Sequence, residues 1–257
     1  MKMFISASVL VAAVAANAHA GFSSFLIRGT PQILANNVYV PGATEFVISA
    51  GGQKAGWGSN DVNGSTIGSL SQMTITRHDD AGRFSGGSGP AVAPYFNIWI
   101  SDGTNYAVVA NEPSNPSFAA FRTSNPGGGF TYNFSANDIA AEAAKIYETP
   151  GAGTKTSWVH VALNKVGQNL TFADVMGFTI AAPSSSFIAG GNGIGTGAPR
   201  ELGSNIARGF NWVFGDTLSN YVSGNEGYVV SGAGVVPTPG SLALLGLGGL
   251  AAARRRR

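Results

Sequence analysis

Apolar positions between residues 21 and 230 fall in short runs, many of them alternating with polar positions, and turn-forming residues separate the runs. Period-two alternation bounded by Gly, Pro, Asn and Asp marks half-buried strands. On that pattern the first strands are expected at Phe22–Ile27, Asn37–Val40, Thr44–Ala50, Thr66–Arg77, Ala91–Ser101 and Asn105–Ala110. A second group is expected at Ser117–Arg122, Phe130–Phe134, Thr156–Leu163, Leu170–Ala181, Ile206–Phe214 and Gly227–Val230. Pro41-Gly42, Asn63-Gly64, Asn115-Pro116 and Pro150-Gly151 punctuate them. Asp102-Gly103-Thr104, between two strong runs, reads as a hairpin turn.

One helix is expected over residues 138–147. Ser135 and Asp138 have capping-box spacing, and Ile139, Ala143 and Ile146 follow on one helical face. The glycine-rich stretch Ser184–Gly203 has no apolar period and reads as a long surface loop, and residues 231–236 read as a linker. Many short strands, one helix and no strand–helix alternation predict an all-β body over residues 21–230, an antiparallel β-sandwich of jelly-roll type.

Both ends depart from this pattern. Residues 1–20 have the layout of a signal peptide: Lys2, an apolar stretch from Met3 to Ala16, and Ala18-His19-Ala20 as a small-x-small cleavage site before Gly21. Such a segment is a substrate of the Sec translocon and signal peptidase. At the other end, Leu242–Ala253 is apolar all round. As a hydrophobic helix rising 1.5 Å per residue it spans roughly 18 Å, short of the roughly 30 Å hydrocarbon core. The arginines that follow it favour the cytoplasmic side and lengthen the effective span by snorkelling.

Pro237, Thr238, Pro239 and Gly240, the apolar run, and Arg254, Arg255, Arg256 and Arg257 together resemble the PEP-CTERM sorting signal. The resemblance covers residues 236–257 alone, with Thr238 where the family usually carries Glu. It implies transient anchorage in the inner membrane, processing by an exosortase, and release to the cell surface or an exopolysaccharide matrix.

The formal charge of +2 and the pI near 9.0 belong to these ends. Lys2 and the terminal arginines supply five of the fifteen basic residues, leaving ten against thirteen acidic ones, a net of −3 for the body. With no Lys/Arg cluster in that body, nucleic acid is not an expected partner. The chain has no cysteine, which removes thiol catalysis and thiolate metal sites and leaves stability to the core.

The strongest candidate chemistry lies in Tyr95-Phe-Asn-Ile-Trp-Ile100. Strand alternation sends Phe96, Ile98 and Ile100 into the core and Tyr95, Asn97 and Trp99 to the other face. Two aromatics flanking an amide suit the stacking of sugar rings, unless the 138–147 helix or a long loop covers them. Trp57, in a glycine-rich segment read as a loop, is a second platform, while Trp158 and Trp212 read as core. Asp79 and Asp80, with Asp61 or Asp102, form a weak Ca²⁺ candidate without ordered ligand spacing, so no metal or other cofactor is expected. His78 and His160 lack zinc-ligand spacing.

No Gly-x-Ser-x-Gly nucleophile motif occurs, and Pro199 follows Gly193-Ile-Gly-Thr-Gly-Ala198 where a nucleotide fingerprint needs a helix. A carboxylate pair for glycoside hydrolysis is invisible to spacing; Glu45 and Asp174 are the acids inside expected strands. Ice adsorption needs regularly spaced Thr, and here Thr is scattered. The sequence is therefore read as an exported, non-catalytic structural or glycan-binding protein. A secreted glycan hydrolase or lyase is the alternative.

Overall fold

A computed structural model describes residues 21–78, 94–111, 116–215 and 227–238. The signal-peptide segment, Asp79, Asp80, Pro239, Gly240 and the tail through Arg257 lie outside the described residues. The chain is mostly β, with two antiparallel sheets and few helices.

The larger sheet runs, in spatial order, β1 (Ser23–Arg28), β4 (Lys54–Ser59), β13 (Phe210–Phe214), β6 (Tyr95–Ser101), β7 (Tyr106–Ala110), β10 (Ala143–Tyr147) and β11 (Leu170–Thr171). A short β12 (Thr179–Ile180) also pairs with β6. The smaller sheet runs β2 (Gln32–Leu34), β3 (Thr44–Val47), β14 (Gly227–Pro237), β5 (Leu70–His78), β9 (Phe130–Phe134) and β8 (Arg122–Ser124).

One apolar cluster takes residues from both sheets. Phe46 of β3 stacks on Phe214 of β13 with ring centroids 4.1 Å apart, and Tyr132 of β9 lies nearly parallel to Trp212 of β13 at 6.2 Å. Phe96, Ile98 and Ile100 enter this cluster, as alternation along β6 requires. All of β6 is buried on both faces, because the far face of the sheet is covered as well.

The cover is the segment 184–208, of which the sequence presents Ser184–Gly203 as a surface loop. It begins with a short helix α3 (Ser185–Ala189), capped by Ser184 accepting from the Phe187 amide. The segment then crosses the larger sheet: Leu202 N donates to Leu26 O at 2.7 Å, and Ile188, Ala198 and Ala207 pack on Trp99 and Val108. Isolated residues, Ile188, Ile194, Ala198 and Ala207, supply this contact, and their irregular spacing leaves no apolar period to read.

Several expected elements change type. Lys54–Ser59 is a strand rather than a loop, and its glycines answer to packing. A Cβ on Gly56 would meet the Phe25 ring at 2.7 Å, and one on Gly58 would meet Asn211 Oδ1 at 2.2 Å. The expected helix 138–147 is absent. The Ser135–Asp138 capping contacts do form, Ser135 N to Asp138 Oδ2 at 2.7 Å, but only a turn follows before β10. In β10, Ala144 and Ile146 are buried while Ala143 and Lys145 are exposed, a period of two. Pairing with β7 overrides the helical spacing.

Conversely, Thr156–Leu163 contains a helix α1 (Trp158–Ala162), and Leu170–Ala181 divides into β11, a helix α2 (Phe172–Val175) and β12. Ser117–Arg122 lies mostly in a 3₁₀ segment, Pro116–Phe121. Asn37–Val40 is a turn in which Asn37 Oδ1 accepts from the amides of Tyr39 and Val40. Residues 231–236 are not a linker: β14 continues through them, paired with β5 from Ser231 to Pro237.

Candidate functional site

The structure separates the four aromatic and amide candidates. Trp57 lies opposite Trp212 on the core side of the larger sheet, half-buried against Phe22 and Phe46. Tyr95, Asn97 and Trp99 share the far face, and none is exposed: Tyr95 is 4% accessible, Asn97 and Trp99 0%. Trp99 Nε1 donates to Pro199 O at 3.0 Å, so the covering segment holds the indole rather than leaving it open to a sugar. Asn97 stands opposite Asn211, and its side-chain nitrogen and oxygen have no hydrogen-bond partner among the described residues.

The covering segment leaves an opening at each end of β6 and β7. At the Tyr95 end is a cavity of about 360 Å³. Arg28, Lys54 and Lys145 bring positive charge to it, Glu148 brings a carboxylate, and Tyr95, Tyr147 and Asn111 form wall. Strand geometry sets this arrangement. Lys145 is in register with Ala110, which is in register with Asn97, so its side chain leaves β10 on the far face of the sheet. Lys54, at the start of β4, is 5% accessible, sits 5.5 Å from the Tyr95 ring centroid and donates to Gly197 O at 3.4 Å.

Gly195 lets the covering backbone close on this charged group, since a Cβ there would lie 2.9 Å from Glu148 Oε2. A Cβ on Gly193 would lie 2.5 Å from Pro150 Cδ. One on Gly197 would lie within 3.5 to 3.7 Å of Glu148 Oε1, an Arg28 guanidinium nitrogen and Lys54 Nζ. Three charged heads therefore converge on one glycine. Glu148 reaches them from a left-handed backbone, φ +57°, and accepts from the Gly195 amide. Burial pushes the Glu148 carboxyl above the usual carboxylate range, and the Gly195 amide, Lys54, Arg200 and Arg28 partly offset that rise.

At the other end, Ser101, Asp102, Tyr106, Phe178 and Thr179 border a shallow cleft of about 560 Å³. Tyr106 and Phe178 are half-buried. Phe187 of α3 braces the Tyr106 ring at 4.7 Å, and Trp158 of α1 braces Phe178 at 5.3 Å. Trp158 Nε1 donates to Tyr106 O at 3.2 Å, tying the two aromatic pairs together. Asp102 and Ser101 hold the hairpin turn by accepting from the amides of Thr104 and Gly103. Backbone and side-chain hydrogen bonds keep the Asp102 carboxyl low, outweighing its desolvation.

The remaining candidates have structural partners. His160 is buried, with Nδ1 2.8 Å from Ser157 Oγ, and His78 Nε2 lies 2.8 Å from Ser231 Oγ. Glu45 accepts from Asn37 Nδ2 at 2.8 Å, and Asp174 pairs with Lys165 at 2.6 Å while capping α2. Asp61 accepts from the Gly21 amide at 2.7 Å. No group of three acids or histidines with metal-binding geometry occurs among the described residues.

Sequence reasoning did not find Arg28, Lys54, Lys145, Glu148, Tyr106 or Phe178 as a site. Only the Gly-x-Gly-x-Gly run at 193–197 gave a signal, and its meaning is close backbone approach to charge rather than a nucleotide turn. No protein-family model, curated protein or solved structure matches this chain. The described fold defines its class: a mostly β protein of two antiparallel sheets with an overlaid segment that frames two openings.

Proposed function

We propose that this chain is an exported β-sandwich of jelly-roll type that holds glycan at the cell surface or in an extracellular matrix, without catalysis, after sorting through its PEP-CTERM-like tail. The signal-peptide pattern and the tail support export. The Tyr106–Phe178 cleft is the observation that carries the glycan reading. Two half-exposed rings, each braced by a second aromatic, flank hydroxyl and carboxylate groups that can accept from sugar hydroxyls.

Tyr106→Ala and Phe178→Ala test this reading. Each is expected to cut retention on the native exopolysaccharide about tenfold, the scale of one lost ring contact. Retention at the parental level in the double variant refutes the assignment. Mass spectrometry of the native C-terminus tests the sorting reading, which requires a chain ending before Arg254.

A glycan hydrolase is the second reading. Glu148 favours it, because it lines a cavity and burial holds its carboxyl above the usual carboxylate range. Turnover of a polysaccharide that is abolished in Glu148→Gln would establish it.

A further inference from the structure

We infer that the cavity at the Tyr95 end is a binding site for an acidic sugar, a pyranose bearing a carboxylate. This site is separate from the Tyr106–Phe178 cleft and goes beyond the reading built on it. Its lining joins two kinds of surface. Arg28, Lys54 and Lys145 present cations from β1, β4 and β10, against the single carboxylate of Glu148 among the described lining residues. Tyr95, Tyr147, Asn111 and Thr196 contribute two phenols, an amide and a hydroxyl to its wall, with Lys54 over the Tyr95 ring and the Asn111 oxygen accepting from the Phe96 amide. Cations alone would suit any small anion. Aromatic walls with an amide and a hydroxyl suit the C–H face and hydroxyls of a sugar ring. The cavity volume of about 360 Å³ falls at the small end of ligand pockets.

The site already encloses a carboxylate of the chain itself. Glu148 lies in it, held by the Gly195 amide, with an Arg28 nitrogen and Lys54 Nζ converging beside it at Gly197. Such an internal carboxylate keeps the cations placed when no ligand is bound, and a ligand carboxylate competes with it for them. The groups facing Glu148 are Arg28, Lys54, Tyr95, Lys145, Tyr147 and Arg200. Apart from the two phenols these are basic, so neutralising Glu148 strengthens the field on an incoming anion. Lys145 is the exposed cation of this lining.

The test is titration of the full chain with D-glucuronate, D-glucose and acetate, followed by calorimetry or NMR. Glucuronate is expected to bind at least tenfold more tightly than either glucose or acetate, because neither carries both recognised features. Lys145→Ala, a surface change that does not threaten folding, is expected to weaken glucuronate at least fivefold. Glu148→Gln is expected to tighten it. Equal binding of glucose, equal binding of acetate, or an unchanged affinity in Lys145→Ala overturns the assignment. The Tyr106→Ala/Phe178→Ala variant separates the two sites: it should lose polymer retention yet keep glucuronate affinity. Loss of both would overturn the independence of this cavity.

Discussion

Thr238 docks on Ser69: its amide and its hydroxyl both donate to the Ser69 carbonyl, at 2.6 and 2.9 Å. The start of the proline motif is therefore attached to the body, directly after the last pair of β14, Pro237 with Leu70. A processing enzyme that engages Pro237 and Thr238 must first lift them from Leu70 and Ser69. Thr238→Ala removes the side-chain bond. It is expected to change global stability by no more than about 1 kcal/mol and to speed appearance of the processed C-terminus in a pulse-chase followed by mass spectrometry. Slower processing would mean that the threonine itself is recognised.

Gly58 offers a packing test. The Asn211 oxygen occupies the place of its missing side chain, 2.2 Å from a Cβ, and the Arg208 stem lies at 3.0 Å. Gly58→Ala is expected to cost about 1–3 kcal/mol by overpacking. Gly153→Ala, with nothing within 4 Å, should stay within about 0.5 kcal/mol. Denaturant midpoints of the two variants measure the difference.

Phe96 sits at the meeting point of the core rings, within 6.2 Å of Phe118, Phe134, Phe172, Phe210 and Trp212. Phe96→Ala is expected to destabilise by about 3–5 kcal/mol. A smaller loss, with a binding defect in its place, would move this ring from core to site.

Acid should weaken the fold through its histidines. Burial lowers the pKa of His78, and burial followed by the Lys155 charge lowers that of His160. The unfolded chain therefore binds more protons near its ordinary pKa of about 6.5, and stability is full above that value and declines as pH falls through the folded pKa values. Glu148 acts in the opposite sense. Its raised carboxyl favours the folded state at low pH and loses that contribution as pH rises through its folded pKa. The unfolding midpoint should fall between pH 7.5 and 5, and His160→Gln should flatten part of that slope. An unchanged slope would show that the buried imidazole titrates normally.

The candidate sites show where reading by pattern stops. Phe96, Ile98 and Ile100 were legible as core because alternation is a local property, and both faces of β6 were correctly divided. What enclosed Tyr95 and Trp99 was not legible, since Trp99 is covered by Pro199, Ile188, Ala198 and Ala207 from about a hundred positions away, and Tyr95 packs with Phe25, Ile27 and Val213 of distant strands. β4 was missed for a related reason. Its Gly56 and Gly58 look like loop residues, yet they are fixed by a ring on β1 and an amide on β13. The helix at 138–147 failed because Ala143 to Tyr147 fits a period of two as well as one of 3.6, and the free edge of β7 decided between them.

The order of residues alone determined the strand-rich character, the inward set of β6, the hairpin at Asp102-Gly103 and the acid-rich balance of the body, because each follows from neighbouring side chains or from a sum over the chain. Tertiary structure alone decided that 184–208 is a cover, that β14 runs on to Pro237, and that Arg28, Lys54 and Glu148 meet at Gly197. Those contacts join segments far apart in the chain, and their selection rests on shape and charge in three dimensions, which no local period encodes.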